Sequence, residues 1–290
     1  MNCPAKLPSL LLPADLSETE KRARAFDLAS VEFHPIVSPT HVYFEQAYSQ
    51  LWKEFGSKDE MESLDVIGKR LARDPHIPID SLHLLYELLY ARDTTTGAFA
   101  AVRDHTAIAM ANAQPPAVVV HLSHVLVAPA HRGSGLAGWM RTFPIATARE
   151  CAKAVWGDAV QPGITLVAEM EHVDESDPAT IGRLIAYEKA GFLKVDPAVV
   201  DYWQPDFRDA AAIDASGAVQ PIPMNLVLRR VGRETETNIT GQELKQIVTS
   251  LYGMYAADFR KQDMQVVYDH MNKSMPTDDA IIRLIAPTAR

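Results

Sequence analysis

Val125-Leu126-Val127-Ala128-Pro129-Ala130-His131-Arg132-Gly133-Ser134-Gly135-Leu136-Ala137 sits near the middle of the chain, at a change of pattern. Residues 117–127 form an apolar run rich in β-branched side chains, and Pro129 stops it. An arginine and two glycines follow, then a long helical pattern, so the order is strand, loop, helix. Glycines let successive backbone amides converge with no Cβ in the way, and a helix N-terminus adds partial positive charge. With Arg132 contributing a full charge, the loop suits an anion such as a pyrophosphate. On the glycines alone, a tight strand-to-helix turn with no ligand is an equal reading.

Upstream, residues 82–91 and 98–110 are strand-like runs separated by Asp93-Thr94-Thr95-Thr96-Gly97, which predicts a hairpin. Before them, Val31-Glu32-Phe33 with Pro35 predicts a first edge strand. Phe44, Ala47, Tyr48, Leu51, Trp52 and Phe55 recur at helical spacing and end at Gly56, and Leu64, Ile67 and Leu71 predict a second helix. Downstream, a strand over 164–170 precedes a helix over 178–190 that Gly191 would cap. Strands are predicted over 199–203 and 224–230, and helices from 234 onward, where Leu244, Ile247, Val248, Leu251, Met254 and Tyr255 share a stripe. Pro144 falls inside the helix after the glycine loop and predicts a kink there.

The chain has 290 residues, 47% of them hydrophobic, enough to bury a sizeable core. With 28 Lys and Arg against 37 Asp and Glu the formal charge is -9, which opposes binding a phosphate backbone. No apolar run reaches the roughly 18 residues of a membrane span, and the short Leu10-Leu11-Leu12 run is Pro-flanked. A cytoplasmic protein with no nucleic-acid or membrane partner is expected. Cys3 and Cys151 form neither a disulfide framework nor a zinc pattern, and the histidines show no ligand spacing, so no metal is expected.

Arg132-Gly133-Ser134-Gly135-Leu136-Ala137 resembles the acetyl-CoA signature of the GCN5-related N-acetyltransferases, Arg/Gln-x-x-Gly-x-Gly/Ala. A second match lies downstream, where Tyr187-Glu188-Lys189-Ala190-Gly191-Phe192 resembles the family's Tyr-x-x-x-Gly-Phe helix end. The predicted order of elements is similar as well, over residues 30–231. The resemblance implies acetyl-CoA as acyl donor, with Arg132, Gly133, Ser134, Gly135, Leu136 and Ala137 gripping its pyrophosphate. It also implies that Val125, Leu126 and Val127 lie on a strand that splays from its neighbour and pairs with the pantetheine arm. The thioester would lie in the V-shaped gap facing 164–170.

Direct attack on a thioester needs a deprotonated amine and a proton for the departing thiolate. By the resemblance Tyr187 is the acid. Many relatives place a glutamate on the fourth strand as base, whereas this chain has His121, Ser123 and His124 there. The resemblance to serotonin N-acetyltransferase-like members points to His121 and Ser123. Strand alternation puts those two on one face and His124 on the other. An imidazole suits a base near neutrality, and a structural histidine is the competing reading. Glu169 and Glu171 project to one side of their strand if alternation holds, where they would attract a cationic amine or supply the base. Tyr86, Tyr90 and Trp139 are candidate linings of the acceptor pocket, and Asp174-Glu175-Ser176-Asp177 is expected to cap the next helix.

The expectation is a mixed α/β (α+β) acyltransferase fold, with a central, mostly antiparallel, V-splayed sheet between helices. Residues 1–28 would be an arm, 29–233 the acetyltransferase domain and 234–290 a C-terminal helical extension. The expected activity is acetyl transfer to a primary amine, small-molecule or peptide, with homodimer formation as one role for the extension. The rival is a module that keeps the loop and binds acyl-CoA without turnover.

Overall fold

A computed structural model describes residues 11–56, 61–173 and 178–289. The centre is a ten-stranded sheet: β1 (Val31–Ile36), β2 (Leu82–Asp93), β3 (Phe99–Met110), β4 (Ala117–Val127), β5 (Gly163–Met170), β6 (Leu193–Val195), β7 (Tyr202–Gln204), β8 (Ile222–Arg230), β9 (Asn238–Thr240) and β10 (Ile281–Ile285). The spatial order is β1-β2-β3-β4-β5-β8-β6-β10-β9, with β7 on the free end of β8. β4 and β5 run parallel, and every other neighbouring pair among the described residues is antiparallel. A parallel pair needs a crossover, and here the glycine loop and helices α4 (Leu136–Thr142) and α5 (Pro144–Trp156) supply it.

Two apolar layers sandwich the sheet. On one face α4, α5 and α6 (Pro178–Lys189) bury Leu136, Met140, Phe143, Ile145, Leu184 and Phe192 against the alanines and valines of β3 and β4. The helical turn α1 (Lys21–Arg24) joins that layer through Ala23. The other face carries α2 (Phe44–Phe55) and α3 (Leu64–Leu71) at one end and α8 (Gly241–Ala256) and α9 (Lys261–Ser274) at the other. A short α7 (Ala210–Ser216) lies between β7 and β8, with Asp209 accepting from the Ala212 amide as its cap.

Several expectations change in detail. The hairpin is β2–β3, and Pro144 breaks the crossover helix in two by standing at the first position of α5, where its missing amide costs nothing. The strand expected over 199–203 is shorter and later, at β7, and β6 was not expected. The C-terminal region is more than helical, because β9 and β10 add strands to the sheet. Ile282 and Leu284 of β10 are buried while Ile281 stays exposed, a half-buried alternation. The capping run Asp174-Glu175-Ser176-Asp177 and Cys3 lie outside the described residues.

Candidate functional site

β4 and β5 pair from Ala117↔Gly163 to His121↔Val167 and then part. β4 stays bonded to β3 as far as Val127, and β5 stays bonded to β8 as far as Met170. Among the described residues, 122–127 therefore present one edge with no strand partner, and Val125, Leu126 and Val127 lie on that stretch. The sheet opens between these two strands immediately before the glycine loop.

That loop begins with a 3-10 turn, Pro129–His131, after which Gly133 takes φ +74 and Gly135 φ +107. Both angles lie in the left-handed region that favours glycine. Ser134 Oγ donates to the His131 carbonyl at 2.7 Å and accepts from the Leu136 amide at 3.2 Å, and Arg132 Nε donates to the Val127 carbonyl at 3.1 Å. Among the described residues the amides of Gly133, Gly135 and Ala137 have no protein acceptor.

The N-terminal arm lies against this loop. A β-carbon on Gly135 would stand 2.3 Å from the Arg22 carbonyl oxygen, and one on Gly138 would stand 2.5 Å from Ala23 Cβ. Trp139, a candidate acceptor lining, instead donates its indole N–H to the Ala23 carbonyl at 2.8 Å. Arg141 pairs with Glu20, and Arg149 grips Asp15 with two bonds of 2.6 and 2.8 Å. The arm is thus fastened to α4 and α5 by buried or half-buried ion pairs.

On the face under α8, four donors surround Glu169. His121 Nε2 stands 2.8 Å and Gln204 Nε2 2.9 Å from Oε2, the Tyr255 hydroxyl also donates to Oε2, and the Tyr202 hydroxyl donates to Oε1. Burial alone would raise the Glu169 carboxyl, but the bonds from His121, Tyr202 and Tyr255 outweigh it and bring it below its ordinary value. Burial first, and the Glu169 charge second, push the Tyr202 and Tyr255 phenols well above theirs, so both remain donors. Ser123 Oγ lies 3.1 Å from His121 Nδ1, and the Tyr255 ring meets the imidazole edge-on at 5.6 Å.

His124 turns to the same side, contrary to simple alternation. Between Arg103↔Val125 and His105↔Leu122 the register slips, so Ser123 and His124 together oppose Asp104. His124 donates its backbone amide to Asp104 at 2.8 Å and sets Nδ1 at 3.0 Å from the same oxygen, while the Tyr86 hydroxyl donates to the other at 2.9 Å. Burial alone would raise Asp104, but His124 and Tyr86 overcome it and hold the carboxyl well below the usual range. Tyr86 is therefore committed to this pair, and Tyr90 packs beside Tyr43 and Phe99 in the layer under α2.

Tyr187 lies on the opposite face of the sheet from His121, packed edge-on to Phe192 at 4.8 Å with the Arg141 guanidinium 5.6 Å from its ring centre. The two residues can meet one substrate only through the gap between β4 and β5. Glu171 is separated from Glu169: it lies just past β5, exposed, and pairs with Arg183 of α6 at 2.6 Å. Alternation ends with the strand. Burial pushes the Cys151 thiol up to about 12. Among the described residues no group of His, Cys, Asp and Glu is placed to hold a metal, and no helix is long and apolar enough to cross a membrane.

Tyr202, Gln204 and Tyr255 join the site without a local motif that marks them. Tyr255 carried a signal only as the last member of the helical stripe, where a hydroxyl among aliphatic side chains asks for a buried partner.

No family model matches the sequence, and no curated protein matches it. Among solved structures, one similar chain is an aminoglycoside acetyltransferase from an uncultured soil metagenomic sample, at 15% identity and TM-score 0.30 over 53% of this chain and 88% of that one. Another is a GCN5-related glucosamine N-acetyltransferase region of a fungal multi-domain β-N-acetylglucosaminidase, at 16% identity and TM-score 0.37 over 85% of this chain and 25% of that one. At those scores neither likeness supports a functional statement about this chain.

Proposed function

We propose that the chain is an acetyl-CoA-dependent N-acetyltransferase that passes the acetyl group directly to a primary amine, without an acyl-enzyme. The observation that carries this is the parting of β4 from β5 beside both the glycine loop and the His121–Glu169 cluster. The backbone groups that Val125 and Val127 turn to the open edge suit a pantetheine arm, with the Val127 carbonyl already held by Arg132 Nε, and the unpaired loop amides with Arg132 suit a pyrophosphate. Acetyl-CoA would supply an activated thioester carbonyl in the gap. His121 would serve as base on one face and Tyr187 as acid for the departing sulfur on the other. The acceptor would be a small-molecule or peptide amine, drawn to a protein of net charge -9.

Acetyl-CoA should raise the melting temperature, since a ligand of the native state stabilises it. Thiol release with a panel of polyamines, arylalkylamines, amino sugars and peptides then reads turnover. Arg132→Ala should weaken CoA binding by about 10- to 100-fold, the worth of a charged hydrogen bond. Tyr187→Phe should lower turnover with cofactor affinity unchanged; full activity in that variant removes the acid. The second reading is a regulatory acyl-CoA-binding module that keeps the unpaired loop amides; the arm's contacts with Gly135 and Gly138 are a matter of packing and bear on neither reading. Binding without turnover across the panel would select it.

A further inference from the structure

We propose that Ser123, His121 and Glu169 form a proton relay whose outer end, Ser123, takes the proton from the acceptor amine, and that Tyr255 of the C-terminal α8 is a positioning residue of that relay. This rests on the acetyl-transfer reading above.

The hydrogen bonds assign the direction. Glu169 receives Tyr202, Tyr255, Gln204 and His121 on its two oxygens, so it acts as an ionised acceptor. In the proposed relay His121 donates from Nε2 and, as the neutral imidazole, keeps its lone pair on Nδ1. That nitrogen lies 3.1 Å from Ser123 Oγ, so the hydroxyl donates to it and keeps its own lone pairs for a further donor. Accessibility orders the three groups the same way. The side chains of Glu169 and His121 are 2% and 7% exposed, whereas Ser123 is half-buried and stands two residues beyond the last β4–β5 pair, in the parted stretch. An amine in the gap reaches Ser123 first.

The step balances. An ammonium N–H bond breaks and its proton passes to Ser123 Oγ as the Ser123 proton passes to His121 Nδ1, giving an imidazolium beside the Glu169 carboxylate. The freed amine lone pair attacks the thioester carbonyl carbon. The C–S bond breaks, its electron pair leaves on the CoA sulfur, Tyr187 protonates that thiolate, and the second amine proton replaces the one Tyr187 gave. The relay returns its own proton to solvent. Tyr255 touches no reacting atom; it donates to Glu169 and stands 3.2 Å from His121 Nε2, fixing both against rotation. The C-terminal region, which the family resemblance leaves unexplained, is thereby part of the site.

Nitrogen NMR of histidine-labelled protein, with His121→Gln to assign the signal, reads the tautomer without any turnover. A protonated Nε2 is expected, and a protonated Nδ1 overturns the relay. In kinetics, Ser123→Ala should lower kcat at least about 100-fold with the KM for acetyl-CoA unchanged. Glu169→Gln should move the acidic limb of kcat/KM to lower pH, because the imidazolium loses its counter-charge. Tyr255→Phe should lower kcat about tenfold, the worth of one hydrogen bond, at constant KM. Wild-type kcat in Ser123→Ala, or an unmoved limb in Glu169→Gln, overturns the relay and leaves acetyl transfer standing. Failure of the wild type to bind acetyl-CoA instead overturns the acetyl-transfer reading, and with it the amine end of the relay.

Discussion

Replacing Gly135 by alanine separates two reasons for a glycine in the loop. One is local, because φ +107 costs an ordinary residue roughly 1–2 kcal/mol. The other is tertiary, because the new β-carbon would lie 2.3 Å from the Arg22 carbonyl oxygen and 2.8 Å from the Ala23 amide nitrogen, so the arm must move. Overpacking of that kind costs about 1–3 kcal/mol. Gly133→Ala is the control: it has φ +74 and meets only Arg22 Nη1, at 3.7 Å, so it carries the backbone strain without the collision. At roughly 2–4 °C per kcal/mol, Gly135→Ala should melt about 2–12 °C below Gly133→Ala in a thermal scan. Limited proteolysis should also cut its arm first, because the Trp139–Ala23 bond and the Glu20–Arg141 pair are loosened with it. Equal melting temperatures with an equally protected arm would refute the argument that the arm rests on the loop.

Burial raises Glu87 to about 7, above its ordinary 4.5, so the folded state holds a proton that the unfolded state has released. Stability should therefore fall as pH rises from about 4.5 to about 7, by roughly 3 kcal/mol, and Glu87→Gln should flatten that limb in denaturant titrations; an unchanged slope refutes the assignment. Asp258, just beyond α8, receives Arg70 at 2.8 Å and also Arg73, both from the α3 region. Asp258→Ala should cost about 1–3 kcal/mol, and a double-mutant cycle with Arg70 should show coupling; additive losses would mean that the pairs are screened by solvent. Asp104 contributes stability above its ordinary pKa that is lost as pH falls, since His124 and Tyr86 favour its charged form. Asp104→Asn should remove this acid-side dependence, as followed by the pH dependence of the denaturation midpoint.

Strand, glycine loop and helix were legible because each is a local pattern: a β-branched run, a proline stop, two glycines and a helical stripe within some twenty residues. The hairpin and the amphipathic helices were legible for the same reason. His124 was misplaced because a bulge is a mismatch between two strands, and one strand's alternation does not contain it. The strands β9 and β10 were missed because pieces of three and five residues carry little periodicity and earn their place by pairing with distant partners.

By itself the sequence determined most of the elements and the strand, glycine loop and helix order, since backbone propensity and apolar spacing act over a few residues. Only the tertiary structure decided where β4 leaves β5, which face His124 takes, and that Glu169 and Glu171 part company. It alone brings Tyr255 to His121 across 134 residues and Tyr202 to Glu169 across 33. A buried carboxylate collects whatever donors the packed layers place around it, and that placement follows from how α8 and β7 close over the sheet.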